Sequence, residues 1–171
     1  MPGSADMPGS GGLPGRGGLP ASVDRSEPAT HSLRVPANLD RLAEVRDLVR
    51  AAADEAGAGD ACTADMVQAV DEVTTNAIIH GHAGGSGWVE VAATTRDDRF
   101  VITIEDDARA FDPTSVADPD LSVHPAERRP GGMGVLLARL CVDEMTYRPR
   151  PGGGNILTLV RRFERNGKED R

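Results

Sequence analysis

Glu72 and Asn76 lie four residues apart, the spacing that brings two side chains together on one face of an α-helix. At about 100° per residue, both fall at one edge of an apolar stripe of Met66, Val70 and Val73, on the border of the face such a helix would bury. A carboxylate and an amide held there supply a general base and an oxygen ligand for a hard cation such as Mg²⁺. They equally suit an ordinary surface pair near a helix end. Asp106 shares the face of Phe100, Ile102 and Ile104 by the period of two. An acid on the apolar side of a sheet needs a partner to offset desolvation; an amino group on a heteroaromatic ring is one, and capping of the following turn is the other. Gly131, Gly132, Met133 and Gly134 stand where a loop gives way to a helix. Unsatisfied N–H groups at such an N-terminus donate to a polyphosphate that glycine lets approach closely, and Arg128 and Arg129 just upstream add charge-assisted contacts. The same glycines also make a flexible hinge, for neither a Walker A lysine nor a full GxGxxG accompanies them.

Elements must hold these residues in place. Order is expected to begin near His31, where Leu33 and Val35 alternate with polar neighbours as a short strand that Pro36 ends. Asn38 is a good N-cap for a first helix, whose stripe of Leu39, Leu42, Val45, Val49, Ala52 and Ala56 stops at Gly57. After a turn over 58–61, Thr63 is expected to cap a second helix running to Gly81. Strands over 88–95 and 100–106 form a hairpin through Asp97 and Asp98. Residues 107–130 show no lasting period and are broken by Pro113, Pro119, Pro125 and Pro130, which marks a functional or mobile loop. A third helix follows through Val135, Leu136, Leu140 and Val142. Strands over 144–148 and 155–162 then close a hairpin at the glycine-rich 149–154. This order predicts an α+β fold, a two-layer sandwich with a mixed β-sheet covered on one face by three helices. Residues 1–30 carry seven glycines and five prolines, too few apolar groups to offset ordering entropy, and read as a disordered tail. The domain is expected over 31–163, with 164–171 frayed.

Composition excludes several functions. Nineteen basic against twenty-seven acidic residues leave a formal charge of −8, which repels a phosphate backbone and argues against direct nucleic-acid binding. No apolar run approaches the roughly 20 residues of a spanning helix, so no membrane partner is expected. Cys62 and Cys141 form no CxxC pair and follow no secretory pattern; a cytoplasmic home and two small buried thiols are expected. His80 and His82 lack a further ligand set at metal-binding spacing, and His80 is expected to pack or cap. Arg41, Arg46 and Arg50 line the polar side of the first helix, where they form either a solvated face or a surface for an acidic partner.

From about Leu33 to Phe163 the chain resembles the GHKL ATPase and kinase superfamily, and within it the anti-sigma factor serine kinases of the RsbW and SpoIIAB kind. The stretch Glu72-Val-Thr-Thr-Asn76-Ala-Ile-Ile-His80-Gly81 is similar to their N box. The resemblance implies the Bergerat ATP-binding fold, with Glu72 as general base towards a substrate serine and Asn76 as the Mg²⁺ ligand. It matches Asp106 to the G1-box aspartate that holds the adenine amino group. Gly132, Met133 and Gly134, with Arg129 nearby, match the phosphate-wrapping G2 box, and 107–131 the ATP lid. Residues 143–147 and Gly153-Gly154-Asn155 are similar to the family's last helix, strand and turn. Where the G1 box usually reads Asp-x-Gly-x-Gly, this chain has Asp106-Asp107-Ala108-Arg109-Ala110. If nucleotide-facing positions 108 and 110 require positive φ, alanine costs about 1 kcal/mol or more at each. What the resemblance implies is a protein-serine kinase using ATP and Mg²⁺, with a sigma factor and a STAS-type anti-sigma antagonist as partners and a homodimer through the free sheet face. The alternative is a GHKL-fold regulator that docks partners without productive nucleotide binding. A sensor histidine kinase fragment, of the same superfamily, would require a phosphoacceptor helix pair that the sequence before the domain does not show.

Overall fold

Five strands and three α-helices follow one another in the order the sequence predicts. The structure, a computed structural model, describes residues 31–83, 85–120, 122 and 132–164. The 1–30 stretch, residues 165–171, and Arg128, Arg129 and Gly131 lie outside the described residues.

Strand β1, His31–Pro36, leads through a 3₁₀ turn, Leu39–Arg41, into α1, Leu42–Ala56. Asn38 caps the 3₁₀ turn, its side chain accepting from the Asp40 N–H at 3.0 Å, and the α-helix proper starts one turn later. Gly57 ends α1 in the left-handed region at φ 70°, where glycine meets no steric penalty. Helix α2, Asp60–Asn76, begins three residues before the expected cap. Thr63 is an interior residue whose hydroxyl donates back to the Gly59 carbonyl, while Gly59 occupies the N-cap. The helix also changes character before its expected end, because Ala77–Gly81 form a π-helical turn. Such turns accommodate an extra residue and concentrate at functional sites.

Strands β2, Trp88–Arg96, and β3, Arg99–Asp106, form the predicted hairpin, with Asp97 at φ 52° in the turn. A 3₁₀ turn, Pro113–Ser115, helix α3, Met133–Leu140, and strands β4, Glu144–Pro149, and β5, Asn155–Arg162, complete the chain. The sheet order is β1-β2-β3-β5-β4, and every neighbouring pair is antiparallel. This corrects the expected mixed sheet. β3 and β4 do run in the same direction, but β5 folds back from β4 and enters between them, so no parallel pair forms.

The three helices and the sheet bury one continuous core. Val45, Val49, Met66 and Val70 pack against Val91, Phe100, Ile102, Ile104 and Leu159, all at 1% exposure or less, each such side chain contributing about 1.5–3 kcal/mol of apolar burial. With only five aromatics in the chain, aliphatic side chains carry that core as expected. The outer sheet face is mixed: Val101, Ile156 and Val160 stand on it, buried, among ion pairs of Arg34 with Glu90 and Arg99 with Glu144, and the Arg34 guanidinium lies 3.9 Å from the Trp88 ring centre. The helix-one arginines all find acidic partners within the chain. Arg41 pairs with Glu44, Arg50 with Asp47, and Arg46 makes a two-pronged bond with Asp71 of α2 at 2.8 Å. That bond, with the nearby negative charge, raises the Arg46 guanidinium further above its ordinary pKa.

Candidate nucleotide site

Helix α2 runs along the sheet and presents its C-terminal end to a cavity of about 1160 Å³ between the helices and the β3–β5 end of the sheet, ample for a nucleotide-sized ligand. Asn76, Asp106, Ala108, Ala110 and Gly132 all line it. Residues 30 positions apart in sequence are thus gathered because α2 ends, β3 ends and α3 begins at one edge of the sandwich.

Asp106 is 5% exposed. Its Oδ1 accepts from the Ala108 N–H at 2.9 Å and from Asn155 Nδ2 at 2.8 Å. The turn-capping alternative is therefore realised, and among the described residues Oδ2 takes no hydrogen bond, so one carboxylate oxygen stays available on the cavity wall. Asn155, from the start of β5, makes four bonds. Besides Asp106 it donates to the Arg109 carbonyl, and its Oδ1 accepts from the Phe111 N–H and the Tyr147 hydroxyl. Asn155 and Tyr147 also line the cavity and were not singled out as site residues by sequence. Only the Gly153-Gly154-Asn155 turn pointed there, since a buried Asn next to a buried Asp is a contact across 49 residues.

Gly154 brings that turn close. At φ 103° it occupies a conformation glycine adopts freely, and a Cβ there would collide with the Asp106 carbonyl. The alanines of the altered motif behave otherwise than expected. Neither Ala108 nor Ala110 has positive φ, so the expected backbone cost is absent. Ala108 is 7% exposed, and a Cβ built on Gly81 would fall 2.7 Å from its methyl. Gly81 therefore leaves the space that the added methyl fills.

The Glu72 end is more open. Glu72 and Asn76 are half-buried, and Gln68, one turn back, donates to Glu72 Oε1 at 2.7 Å. Gly134 sits against both: a Cβ there would lie 2.6 Å from Glu72 Oε2 and 3.2 Å from Asn76 Nδ2. Gly132 at φ 82° is the N-cap of α3, leaving that end unobstructed by a side chain. Glu72 and Gly134 are not part of the cavity's lining but adjoin it through Asn76, and Met133, 37% exposed, is not part of the lining either. Arg129 lies outside the described residues. His80, expected to pack or cap, is exposed and lines the cavity, and it is the His82 side chain that is buried at 4% exposure. No group of three or more His, Cys, Asp or Glu stands together as a metal cluster among the described residues. Burial raises both thiols, Cys62 and Cys141, above their ordinary pKa, with the Asp65 charge adding to it. No helix among the described residues is long and apolar enough to cross a membrane.

These observations fit ATP with a hard metal ion. The site offers an oxygen-donor amide and a carboxylate at one edge, a side-chain-free helix start where a Cβ at Gly134 would intrude, and a buried carboxylate with an open oxygen at the other end.

The comparisons with known proteins point the same way. The profile of the histidine kinase-like ATPase domain matches residues 35–161. The chain is 27% identical over 103 residues to the anti-sigma F factor of Caldanaerobacter subterraneus subsp. tengcongensis, covering 60% of this chain and 72% of that one. It is 27% identical over 126 residues to the serine-protein kinase RsbW of Staphylococcus aureus, covering 70% and 79%. A solved structure of the RsbU and RsbW domains of a Mycobacterium tuberculosis protein superposes with a TM-score of 0.54 at 26% identity, over 78% of this chain and 33% of that longer one. This chain thus spans about a third of that solved chain. With the family profile covering the whole sandwich, from the end of β1 to the end of β5, the chain belongs to the histidine kinase-like ATPase domain family.

Proposed function

We propose that this protein is an ATP- and Mg²⁺-dependent anti-sigma factor that binds a sigma factor and phosphorylates a serine on a STAS-type anti-sigma antagonist. One observation carries the reading: Gly134 at the start of α3 lies directly against Glu72 and Asn76, while Asp106 opens on the same cavity. A base, a metal ligand, a phosphate-facing helix start and an adenine acceptor then act on one bound molecule. The names of the relatives, anti-sigma F factor and serine-protein kinase RsbW, support the partners; a homodimer through the outer sheet face belongs to the same reading.

When bound, ATP supplies the phosphoryl group and Mg²⁺ neutralises its charge. Asp106 receives the adenine amino group on its open oxygen, kept in place by Asn155. Asn76 would hold the metal with its amide, whose oxygen is the donor type a hard cation takes. Gly132 and Gly134 let the amides of α3 approach the phosphates, whose charge the helix N-terminus stabilises. Ala108 and Ala110 flank the purine without backbone strain, and Arg129 would add charge to the phosphates. Glu72, which accepts from Gln68, would take the proton of the attacking serine hydroxyl as the serine oxygen bonds to the γ-phosphorus and the bond from that phosphorus to the bridging oxygen breaks, with ADP as the leaving group.

The test is calorimetric titration of the full chain with ATP and ADP in the presence of Mg²⁺, followed by incubation with ATP and a cognate STAS protein. Micromolar binding that Asn76→Ala abolishes, and phosphoserine formation that Glu72→Gln abolishes while binding persists, are the expected results. No binding at millimolar nucleotide would leave the partner-docking alternative. The placement of Ala108 against Gly81 weighs against that alternative, which rested on the two alanines.

A further inference from the structure

The last turn of α3 reaches the cavity's lining through Arg139. Arg139 Nη1 pairs with Asp118 Oδ1 at 2.7 Å, and Nη2 donates to the carbonyl oxygens of Pro113, at 2.6 Å, and Val116. Pro113, Val116 and Asp118 all line the cavity. They belong to the 112–118 segment, which forms its front wall.

The wall's other polar bonds are local. The Asp112 carboxylate accepts from the Thr114 N–H at 2.8 Å and its hydroxyl at 2.6 Å, and the Ser115 hydroxyl donates to the Asp112 carbonyl. Such bonds shape the turn without tying it to the body. Two of the three Arg139 contacts go to carbonyls that bracket the 3₁₀ turn: Pro113 opens it and also accepts from the Val116 N–H, and Val116 follows it. A planar guanidinium serves two carbonyls and a carboxylate at once; an ammonium does not offer that fork. The side chain is 26% exposed, so the clamp is partly shielded from water.

We propose that Arg139 is a positioning residue of the nucleotide site: it pins the 112–118 wall to α3, so that one eight-residue helix sets both the wall and the Glu72–Asn76 edge. The inference rests on the nucleotide-binding reading above and assigns a determinant of affinity to a residue outside the cavity's lining.

The experiment combines backbone hydrogen exchange with MgADP titration on the full chain and on Arg139→Gln, Arg139→Lys and Asp118→Asn. In Arg139→Gln, exchange over 114–118 is expected to rise, and MgADP affinity to fall, by about ten-fold or more, while exchange in β3 and β5 stays as it was. Arg139→Lys is expected to recover part of both losses, and Asp118→Asn, at a more exposed partner, to lose about three-fold. Local loosening of 114–118 with β3 and β5 untouched separates a wall clamp from general destabilisation. Should Arg139→Gln fold poorly, Asp118→Asn and Arg139→Lys carry the test alone. Absence of MgADP binding by the unsubstituted chain overturns the nucleotide reading. Normal binding by that chain, together with unchanged exchange and affinity in Arg139→Gln, overturns this inference and leaves the function standing.

Discussion

The Asp106 end of the cavity and the Glu72 end are built on opposite plans. Asp106 and Asn155 are 5% and 8% exposed and knit β3, β4, β5 and the following loop together through Asn155's four bonds. Glu72 and Asn76 are half-buried on a helix edge, and Gln68 is the one hydrogen-bond partner found for Glu72 among the described residues. A buried polar network is costly to leave half-satisfied, so the first end is part of what holds the fold together. The second end keeps its donors and acceptors for ligands and contributes little to folding. On the proposed function, recognition of the ligand's rigid part would be coupled to stability, and the chemistry on its charged part would not.

The sharpest way to break this contrast is Gly154→Ala. A methyl there meets the Asp106 carbonyl at a φ alanine disfavours, and a loss on the order of 3 kcal/mol or more is expected in denaturant unfolding. Asn155→Ala leaves the buried Asp106 and the Phe111 N–H each short of a partner; it should cost about 2 kcal/mol, read as a lowered denaturation midpoint with an unchanged slope. Asn76→Ala is the converse case, with less than about 0.5 kcal/mol of stability lost and Mg²⁺-dependent nucleotide binding abolished in calorimetry. If Asn76→Ala destabilised as much as Asn155→Ala, the division between the two ends would fail. The smallest effect concerns the scaffold beneath both ends. Because burial raises the thiols of Cys62 and Cys141, above about pH 8.5 the unfolded chain gives up thiol protons before the folded one does. Stability is therefore expected to be independent of these groups below that pH and to fall gently above it. Labelling with a thiol reagent at neutral pH should modify the half-buried Cys141 before the buried Cys62.

The same division governs how much was legible in the sequence. The Glu72–Asn76 pair, the Gly57 stop, the Asp97-Asp98 turn and the alternation of Phe100, Ile102 and Ile104 are local patterns, and the structure places each where those patterns put it. Asp106 and the helix-three glycines stood out by strand alternation and by a loop-to-helix boundary, and the family likeness supplied the roles expected of them. What escaped is non-local. That β5 enters between β3 and β4 is set by pairings across the whole domain, and the bond from Asn155 to Asp106 spans 49 residues. The fit of Ala108 against Gly81 joins two segments with no common period, and the φ of Ala108 and Ala110, which is not positive, is set by the fold and not by the motif letters. The π-helical turn Ala77–Gly81 and the start of α2 before Thr63 depend on packing that overrides capping preference.

The position of β5 also has a consequence in time. It comes last of the five described strands in chain order, yet it occupies an interior place in the sheet. A nascent chain extended through α3 already carries Glu72, Asn76, Asp106, Gly132 and Gly134, but the β3 edge is still bare and Asp106 has no Asn155. Long-range pairings of this kind close late and slowly, and an open strand edge is the surface most exposed to wrong association. Chains arrested before Asn155 would thus hold nearly every residue of the site without a working site. Competence to bind would arrive in a single late step, when β5 threads home.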